Sequence, residues 1–211
     1  MVRSTPRNRE KRIEFLETAR ILLQRKDPET IRMEDVAAAA GRTRKTLYAH
    51  FLGRDDLLIQ LFIQALEQRW KRQLRAMAKE ESGLAKIRSW GESFMDFAKS
   101  KPRYLRLQAY LDFHGIDPLR ITPRAFDEFD RLNRKVVTLL REAYRLGLQD
   151  GSLRQDLDVE CGIAGYVYGL RCVLNRALFS QYTLIEFDPD RLCRQFIDTF
   201  MRGIARQQGG Y

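Results

Sequence analysis

The chain has 211 residues, 44% of them hydrophobic and 31% charged, a composition typical of a folded globular protein rather than a disordered one. It carries 38 basic against 28 acidic residues, and this net charge of +10 suits a polyanionic partner or an anionic membrane surface. The longest apolar run, near residues 163–170, is far shorter than the roughly 20 residues of a membrane span, and the basic residues 1–7 lack the apolar core of a signal peptide. We therefore expect a cytoplasmic protein.

Helical periodicity begins close to the N-terminus. Apolar residues at i, i+4 and i+7, represented by Phe15, Ala19 and Leu22, predict an amphipathic helix over residues 9–25. The helix is expected to end before Pro28, because the residue that precedes a proline is disfavoured in helical geometry.

Two short helices follow, separated by a turn of about three residues. The first is predicted over residues 33–40 and stopped by Gly41, and the second is predicted over residues 44–51 with Thr43 as its N-cap. This is helix-turn-helix geometry, in which the second helix is sized for the major groove of DNA. Its outward residues mix cations for phosphate with groups for base edges. They are Arg44, Lys45, Thr46 and Tyr48.

A fourth helix is expected to open on Asp55 and Asp56, since the helix dipole favours acidic residues in a first turn, and to continue to about Met77. Arg54 lies beside this turn, where a cation and the unpaired N–H groups of a helix N-terminus together suit a DNA phosphate. No acidic residue occurs between Asp35 and Asp55, so this stretch is a local cationic patch.

A long signature stands at residues 35–58: DVAAAAGRTRKTLYAHF, then GRDDLL after one intervening residue. It resembles the signature of TetR-family transcriptional regulators, from their second helix into their fourth. The resemblance implies base or phosphate contacts at the matching positions, with Arg54 in the place of a phosphate-binding lysine. Arg42 replaces a residue that is usually small and apolar, and Lys45 one that is often glycine. The predicted DNA-binding residues are Arg42, Thr43, Arg44, Lys45, Thr46, Tyr48, His50 and Arg54.

Beyond this signature the helical period persists without a convincing run of alternating residues. Further helices are predicted over residues 85–100, 102–115, 123–146, 158–179 and 189–205. The predicted fold is therefore all-α: a three-helix helix-turn-helix DNA-binding domain at residues 1–54, joined by a fourth helix to a larger helical domain. The resemblance to the TetR family implies that this larger domain, residues 55–211, binds a ligand and dimerises.

The helix predicted at residues 158–179 carries three glycines along one face: Gly162, Gly165 and Gly169. Each costs about 1 kcal/mol of helix stability relative to alanine, which close approach of another backbone would explain. In the TetR family the two final long helices pair with those of a second subunit, so the resemblance implies a homodimer whose recognition helices lie about 34 Å apart. An apolar face of the same helix fits either this pairing or packing within one chain. It consists of Ile163, Val167, Leu170 and Leu174.

The resemblance also implies a small-molecule pocket in the C-terminal domain, whose occupancy moves the DNA-binding domains apart. The candidate lining residues are aromatic side chains and one histidine, although aromatic residues at helical spacing serve equally as ordinary core. They are Trp70, Trp90, Phe94, Phe97, Tyr110, Phe113, His114, Tyr144 and Tyr166.

Sequence motifs for catalysis are absent: no nucleophile elbow, metal-ligand set, dinucleotide fingerprint or phosphate loop occurs, and the few histidines and cysteines are dispersed. We therefore expect no enzymatic activity, metal or cofactor. The interpretation that the resemblance favours is a repressor, which a small-molecule effector releases from a pseudo-palindromic DNA operator. Two alternatives stay open, an enzyme acting on a small hydrophobic substrate in the C-terminal domain and a basic architectural protein that binds DNA without sequence preference.

Overall fold

A computed structural model of the chain describes residues 6–179 and 185–206, which leaves most of the N-terminal segment considered for export outside the described residues. Within these ranges the protein is helical, and one isolated β-bridge joins Leu153 to Ala205. The helices are α1 Pro6–Arg25, α2 Met33–Ala39, α3 Arg44–Tyr48, α4 Arg54–Met77, α5 Gly83–Ser100, α6 Pro102–His114, α7 Pro123–Gln149, α8 Val159–Phe179 and α9 Pro189–Ile204. The all-α prediction is confirmed. None of these helices is long and apolar enough to cross a membrane.

The helix ends follow capping signals in the sequence and agree with the predicted ends to within about one turn. The Ser82 hydroxyl accepts the Ala85 N–H at 3.2 Å and begins α5, and Asp188 accepts the Arg191 N–H at 2.6 Å and begins α9. The largest differences are three residues, at the start of α1, the end of α7 and the end of α3. Helix α3 ends at Tyr48 because the backbone then tightens into a turn.

The chain forms two compact units. The first contains the described residues up to Leu66 together with Arg103–Arg131, and the second contains Glu67–Pro102 with the described residues from Leu132 onward. Helices α4 and α7 contribute residues to both units. This division by contacts differs from the predicted boundary at residue 54, because the start of α4 and residues 103–131 are bonded to the N-terminal helices.

The core of the first unit is formed where α1, α2 and α3 meet. Phe15 of α1, Val36 of α2 and Leu47 of α3 are each fully buried, and Phe51 follows α3 with only 1% of its surface exposed. The rings of Phe15 and Phe51 meet edge to face with centroids 6.5 Å apart. The predicted inward face of the helix-turn-helix is therefore the face that packs on α1.

In the second unit, two of the glycines on α8 make room for aromatic rings of the same chain. A Cβ atom on Gly162 would lie 3.1 Å from the ring of Tyr144, and one on Gly169 would lie 2.7 Å from the ring of Phe196. The expected approach of another backbone is not what these two glycines accommodate.

The apolar face predicted on α8 is also occupied within the chain. Ile163, Leu170 and Leu174 are buried, with at most 4% of their surface exposed, and Val167 is half-buried. Of the two interpretations that the sequence left open for this face, packing within one chain is the one observed. A second subunit would have to use another face of α8.

Candidate nucleic-acid interface

The turn between α2 and α3 depends on one glycine in the left-handed conformation. Gly41 has φ +61°, and its N–H donates to the Ala38 carbonyl at 3.0 Å. The next N–H, of Arg42, donates to the Ala37 carbonyl at 2.9 Å. These two bonds satisfy carbonyl groups at the end of α2 and reverse the chain, as in a Schellman motif. Glycine adopts this conformation without the steric cost that a Cβ atom brings.

Thr43 begins α3 in the way its sequence position predicts. Its hydroxyl oxygen accepts the backbone N–H of Thr46 at 3.2 Å, and the two threonine hydroxyls lie 2.9 Å apart. The cap satisfies a free N–H group of the first turn and fixes where α3 starts. Both threonines therefore support the start of the helix as well as standing at its exposed end.

The outward face of α3 is cationic and accessible. Arg44, Lys45 and Tyr48 are exposed, and Arg44 pairs with Glu34 of α2 at 2.7 Å. Ion pairs as exposed as this one contribute little to stability, so the guanidinium is available for exchange with a phosphate. Lys45 forms no ion pair with any residue in the ranges that the structure describes.

Arg42 also stands on the surface, in the turn before α3. Its guanidinium lies 3.2 Å from a carboxylate oxygen of Glu14 in α1, and 44% of its side chain is exposed. An arginine thus fits at the position where the resemblance led us to expect a small apolar residue, because the side chain extends outward over α1.

His50 follows α3 and lies partly buried against α1. Its ring centroid is 5.7 Å from that of Phe15. Burial, followed by the positive charges of Lys11 and Arg12, lowers the pKa of His50 below its ordinary value. The side chain is therefore a neutral imidazole near pH 7, suited to hydrogen bonding rather than to charge neutralisation.

The guanidinium of Arg54 forms hydrogen bonds within the first unit. Nε donates to the Ile31 carbonyl at 2.9 Å, Nη2 donates to the Pro28 carbonyl, and Nη1 donates to the Tyr110 hydroxyl at 2.8 Å. The group also lies over the Tyr110 ring, 5.1 Å from its centroid. The predicted phosphate contact of Arg54 stays a prediction, and making it with the side chain would break these bonds.

Helix α6 also contacts the segment between α1 and α2, whose carbonyl groups Arg54 binds, through a second set of bonds. Arg103 donates to Asp27 at 2.9 Å, and Nε of Arg106 lies 3.2 Å from the same carboxylate oxygen. With Tyr110 they place contacts at i, i+3 and i+7 along one face of α6. The helix-turn-helix is thus bonded to a helix that follows it by more than fifty residues in sequence.

Asp56 is a structural residue that the sequence interpretation missed. It is completely buried, and its carboxylate accepts the Leu52 N–H at 3.1 Å, the Gln60 amide at 2.9 Å, and both the N–H and the hydroxyl of Thr122 at 3.0 Å. Arg12 in turn donates to the Gln60 amide oxygen. Asp56 is the third residue of α4, and an acidic residue there that accepts an N–H group from before the helix is a recognisable capping signal. Its bonds to Thr122 could not be predicted from such a local signal, because Thr122 lies 66 residues away.

The predicted ligand-binding residues fall in both units. Tyr110, Phe113 and His114 belong to the first unit, where Phe113 is 86% exposed. Tyr110 and His114 have ring centroids 4.3 Å apart and line a cavity of about 350 Å³ together with Arg54 and Arg120. The predicted residues in the second unit are Trp70, Trp90, Phe94, Phe97, Tyr144 and Tyr166.

The second-unit residues include a group of touching rings. Trp90 meets Phe94 with centroids 5.8 Å apart and meets Tyr166 at 5.7 Å, and all three side chains are buried. Trp70 stands elsewhere, with the Lys135 ammonium 4.4 Å from its ring centroid. Among residues 6–179 and 185–206, no cluster of histidine, cysteine or acidic side chains is arranged to hold a metal ion.

Helices α2 and α3 are joined by a glycine turn, and α3 is capped, packs on α1 and has a cationic outer face. These features define a helix-turn-helix DNA-binding protein. Residues 15–61 match the sequence model of bacterial regulatory proteins of the tetR family. The matched residues run from α1 through the helix-turn-helix into α4, so this part of the chain is similar to the tetR family of regulators. A comparison with curated protein sequences gives no match.

Solved structures with the same fold include three regulators at low sequence identity. The ketosteroid transcriptional regulator KstR2 of Mycobacterium tuberculosis has a TM-score of 0.67 at 16% identity, over 98% of each chain. FadR of Bacillus subtilis, in complex with stearoyl-CoA, has a TM-score of 0.69 at 15% identity, over 91% of this chain and 98% of that one. AibR, in complex with isovaleryl coenzyme A and operator DNA, has a TM-score of 0.66 at 18% identity, over 89% of this chain and 96% of that one. The fold is thus shared along nearly the whole chain.

Proposed function

We propose that this protein is a sequence-specific transcriptional repressor, which binds a pseudo-palindromic operator as a homodimer and is released by a small-molecule effector. It acts in the cytoplasm and has no enzymatic activity of its own. The observation that carries this proposal is the exposed face of α3, where Arg44, Lys45 and Tyr48 stand on a helix whose start is fixed by a cap and a glycine turn.

The chemistry of that face fits a DNA groove. Arg42 and Arg44 neutralise phosphates after exchanging their exposed carboxylate partners, and Lys45 reaches base edges as a donor. Because each neutralised phosphate releases counterions, the logarithm of the binding constant should fall linearly with that of salt concentration. AibR, one of the proteins with this fold, is in complex with operator DNA, which supports the same role for this chain.

For the dimer we propose the exposed face of α8 rather than the buried apolar face. Cys161, Gly165, Tyr168 and Cys172 are exposed at spacings of three and four residues, and 62% of the Tyr168 surface is accessible. Tyr168→Glu should yield a monomer in sedimentation experiments, whereas Phe113→Glu, at an exposed aromatic residue in the other unit, should leave a dimer. Two dimers, or two monomers, would contradict this choice of face.

The effector would act through α6. Displacement of α6 would break the bonds that Arg103 and Arg106 make to Asp27 and the bond between Tyr110 and Arg54. These bonds hold the segment that leads into α2, so their loss would change how α3 is presented to DNA. The complexes of FadR and AibR with acyl-CoA molecules support a small-molecule effector for this chain.

Selection of bound sequences from a random pool of DNA duplexes tests the proposal. The expected result is a consensus with two inverted half-sites whose centres are about one helical turn apart or a multiple of it. Binding without any enriched sequence would favour the architectural alternative instead. If no DNA is bound and the protein turns over a small hydrophobic substrate, the enzyme alternative replaces the proposal.

A further inference from the structure

The exposed face of α8 contains a glycine that packing within the chain does not explain. Four exposed residues lie within about 60° of one another around this helix, and we call them the α8 stripe. They are Cys161, Gly165, Tyr168 and Cys172. A Cβ atom on Gly165 would have the Phe200 ring as its nearest neighbour at 3.9 Å, an ordinary contact. Since glycine costs about 1 kcal/mol in a helix relative to alanine, the open space at Gly165 needs another reason.

Tyr168 is a large side chain of the α8 stripe that fits such a space. It has 62% of its surface accessible, and its ring contact in the structure is with the guanidinium of Arg171, 5.7 Å from the ring centroid. No atom of Tyr168 lies within 4 Å of the open position at Gly165 in the same chain. An exposed ring and an exposed glycine on one face are complementary only between two copies of the helix, as a knob and a hole.

The α8 stripe is symmetric about its middle. The midpoint of Gly165 and Tyr168 falls between residues 166 and 167, and the midpoint of Cys161 and Cys172 falls at the same place. In two antiparallel copies related by a two-fold axis, each residue meets the one that lies equally far on the other side of the centre. An axis at this midpoint sets Gly165 beside Tyr168 of the partner subunit. The same axis sets Cys161 opposite Cys172 of the partner subunit.

The charges at the two ends of α8 favour the same antiparallel direction. Asp158 is exposed at the start of the helix, where its carboxylate accepts the Cys161 N–H at 3.0 Å, and Arg176 is exposed in the last turn. With the axis at that midpoint, Asp158 and the partner's Arg176 lie on one flank of the interface, at heights that differ by about 1.5 Å. A parallel pair would set like charges together. Such exposed charges contribute little affinity, but they select the orientation.

The two exposed cysteines can meet between subunits but not within one. Eleven residues of helix separate the Cα atoms of Cys161 and Cys172 by roughly 16 Å, whereas a disulfide needs less than about 7 Å. In the antiparallel pair Cys161 and the partner's Cys172 share one height, about 8 Å from the centre. Helices that cross at about 20° displace the two residues sideways by only about 3 Å there, which is within reach of a disulfide.

We propose that α8 pairs with α8 of a second copy in this register, and that Cys161 and the partner's Cys172 form a thiol pair that a low-molecular-weight disulfide joins. This inference rests on the proposed function, in which the exposed face of α8 forms the homodimer. It adds the register of the two helices and a modification site that occurs twice in each dimer.

The joining reaction is two steps of thiol–disulfide exchange. One cysteine loses its proton to water, and its thiolate attacks the small disulfide, which forms a mixed disulfide and releases one small thiolate. The thiolate of the facing cysteine then attacks the mixed disulfide, which forms the bond between subunits and releases the second small thiolate. The small disulfide thus takes the two electrons that the protein thiols lose.

The test uses oxidised glutathione and full-length protein, with covalent dimer measured by electrophoresis without reductant and by intact mass. Wild-type protein should form covalent dimer. Cys161→Ser and Cys172→Ser should each form about tenfold less, because the remaining cysteine faces a serine. Co-expression of these two variants should restore the bond in the roughly half of dimers that contain one subunit of each. Cys193→Ser is the control, and it should behave as the wild type because that thiol is buried.

Three results would overturn the register. Covalent dimer in Cys161→Ser or Cys172→Ser alone would set a cysteine opposite its own copy. Its absence from the wild type, or from the co-expressed variants, would show that the two thiols do not face each other. Sedimentation with reductant separates this inference from the proposed function. A non-covalent dimer that Tyr168→Glu dissociates, but that forms no bond between Cys161 and Cys172, would keep the proposed face and remove the register, whereas a monomer would remove both.

Discussion

The two units of this protein treat buried polar groups in opposite ways. In the first unit the buried carboxylate of Asp56 accepts four hydrogen bonds, and Gln60 is bonded on both sides of its amide. In the second unit Gln73 is equally buried on the same helix and has no partner for either amide atom among the described residues. Over that part of the chain, every buried side-chain polar atom lacking a hydrogen bond belongs to the second unit.

The difference shows that the hydrogen bonding of buried polar groups is complete in the first unit and incomplete in the second. A satisfied network holds one arrangement, and in the first unit that arrangement presents the outer face of α3. An unsatisfied core is stabilised by whatever molecule supplies its partners, because a ligand that binds only the folded protein stabilises it. The first unit therefore presents a fixed surface, and the second is the unit in which we propose that an effector binds.

The largest expected effect comes from removing the centre of the satisfied network. Asp56→Ala should lower the free energy of unfolding by about 3 kcal/mol or more, because it leaves several buried donors without an acceptor. Asp55→Ala is the control, since the Asp55 side chain is 38% exposed and its ion pairs contribute about 1 kcal/mol or less. Urea unfolding of both variants at one protein concentration measures the difference. Equal losses of stability would contradict the central role of Asp56 in the network of the first unit.

Two buried glutamines on α4 test the comparison directly. Gln60→Leu should destabilise the protein by about 2 kcal/mol, because the partners of the amide in Arg12 and Asp56 lose a bond. Gln73→Leu should be neutral or stabilise the protein by about 1 kcal/mol, since it removes an unsatisfied amide. Thermal unfolding without ligand gives both values, and the same sign for the two substitutions would contradict the contrast.

Arg54→Lys separates two roles that the same position could have. A lysine keeps the charge but has no fork to bridge two carbonyl groups and Tyr110 at once, so we expect a loss of about 1–2 kcal/mol in stability together with weaker DNA binding. Arg120→Lys, at a side chain that is 70% exposed, should change neither. Full stability and full operator affinity in Arg54→Lys would show that a cation alone suffices there, as for a phosphate-binding lysine.

The smallest effect concerns one glycine in each unit. Gly41→Ala should cost about 1–2 kcal/mol, since a Cβ atom is disfavoured at φ +61° even though no atom lies within 4 Å of it. Gly203→Ala should stabilise α9 by up to about 1 kcal/mol, because that glycine is exposed in a helix with equally open space around it. Chemical unfolding curves distinguish the two signs.

Local signals in the sequence were sufficient for the helices and for the turn before α3. The N-cap at Thr43, the stop at Gly41 and the proline that opens α9 each act within a few residues, so they appear in the sequence as they act in the structure. The identity of the α3 surface also followed, because its inward residues repeat with the helical period.

Contacts between segments that are distant in sequence could not be predicted from those local signals. The local sequence predicts a surface cation at Arg54 and a residue that favours the helix dipole at Asp56. In the structure Arg54 is bonded to Tyr110, 56 residues away, and Asp56 is bonded to Thr122, 66 residues away. The glycines of α8 likewise suggested a second backbone, because the sequence does not reveal that the ring of Phe196 faces Gly169. Side chains such as these are placed by tertiary packing, which periodicity does not encode.

The outer face of α3 carries the central claim, and Lys45 tests it most directly. The measurement is the binding of wild-type protein, Lys45→Ala and Lys79→Ala to the selected operator and to each of its single-base variants. Lys79 is an exposed lysine of the other unit and controls for the loss of one charge. We predict that Lys45→Ala changes base preference at the same position of both half-sites, by about 1–3 kcal/mol of discrimination, while Lys79→Ala keeps the preference of the wild type. An unchanged preference in Lys45→Ala would contradict the assignment of this face to sequence recognition.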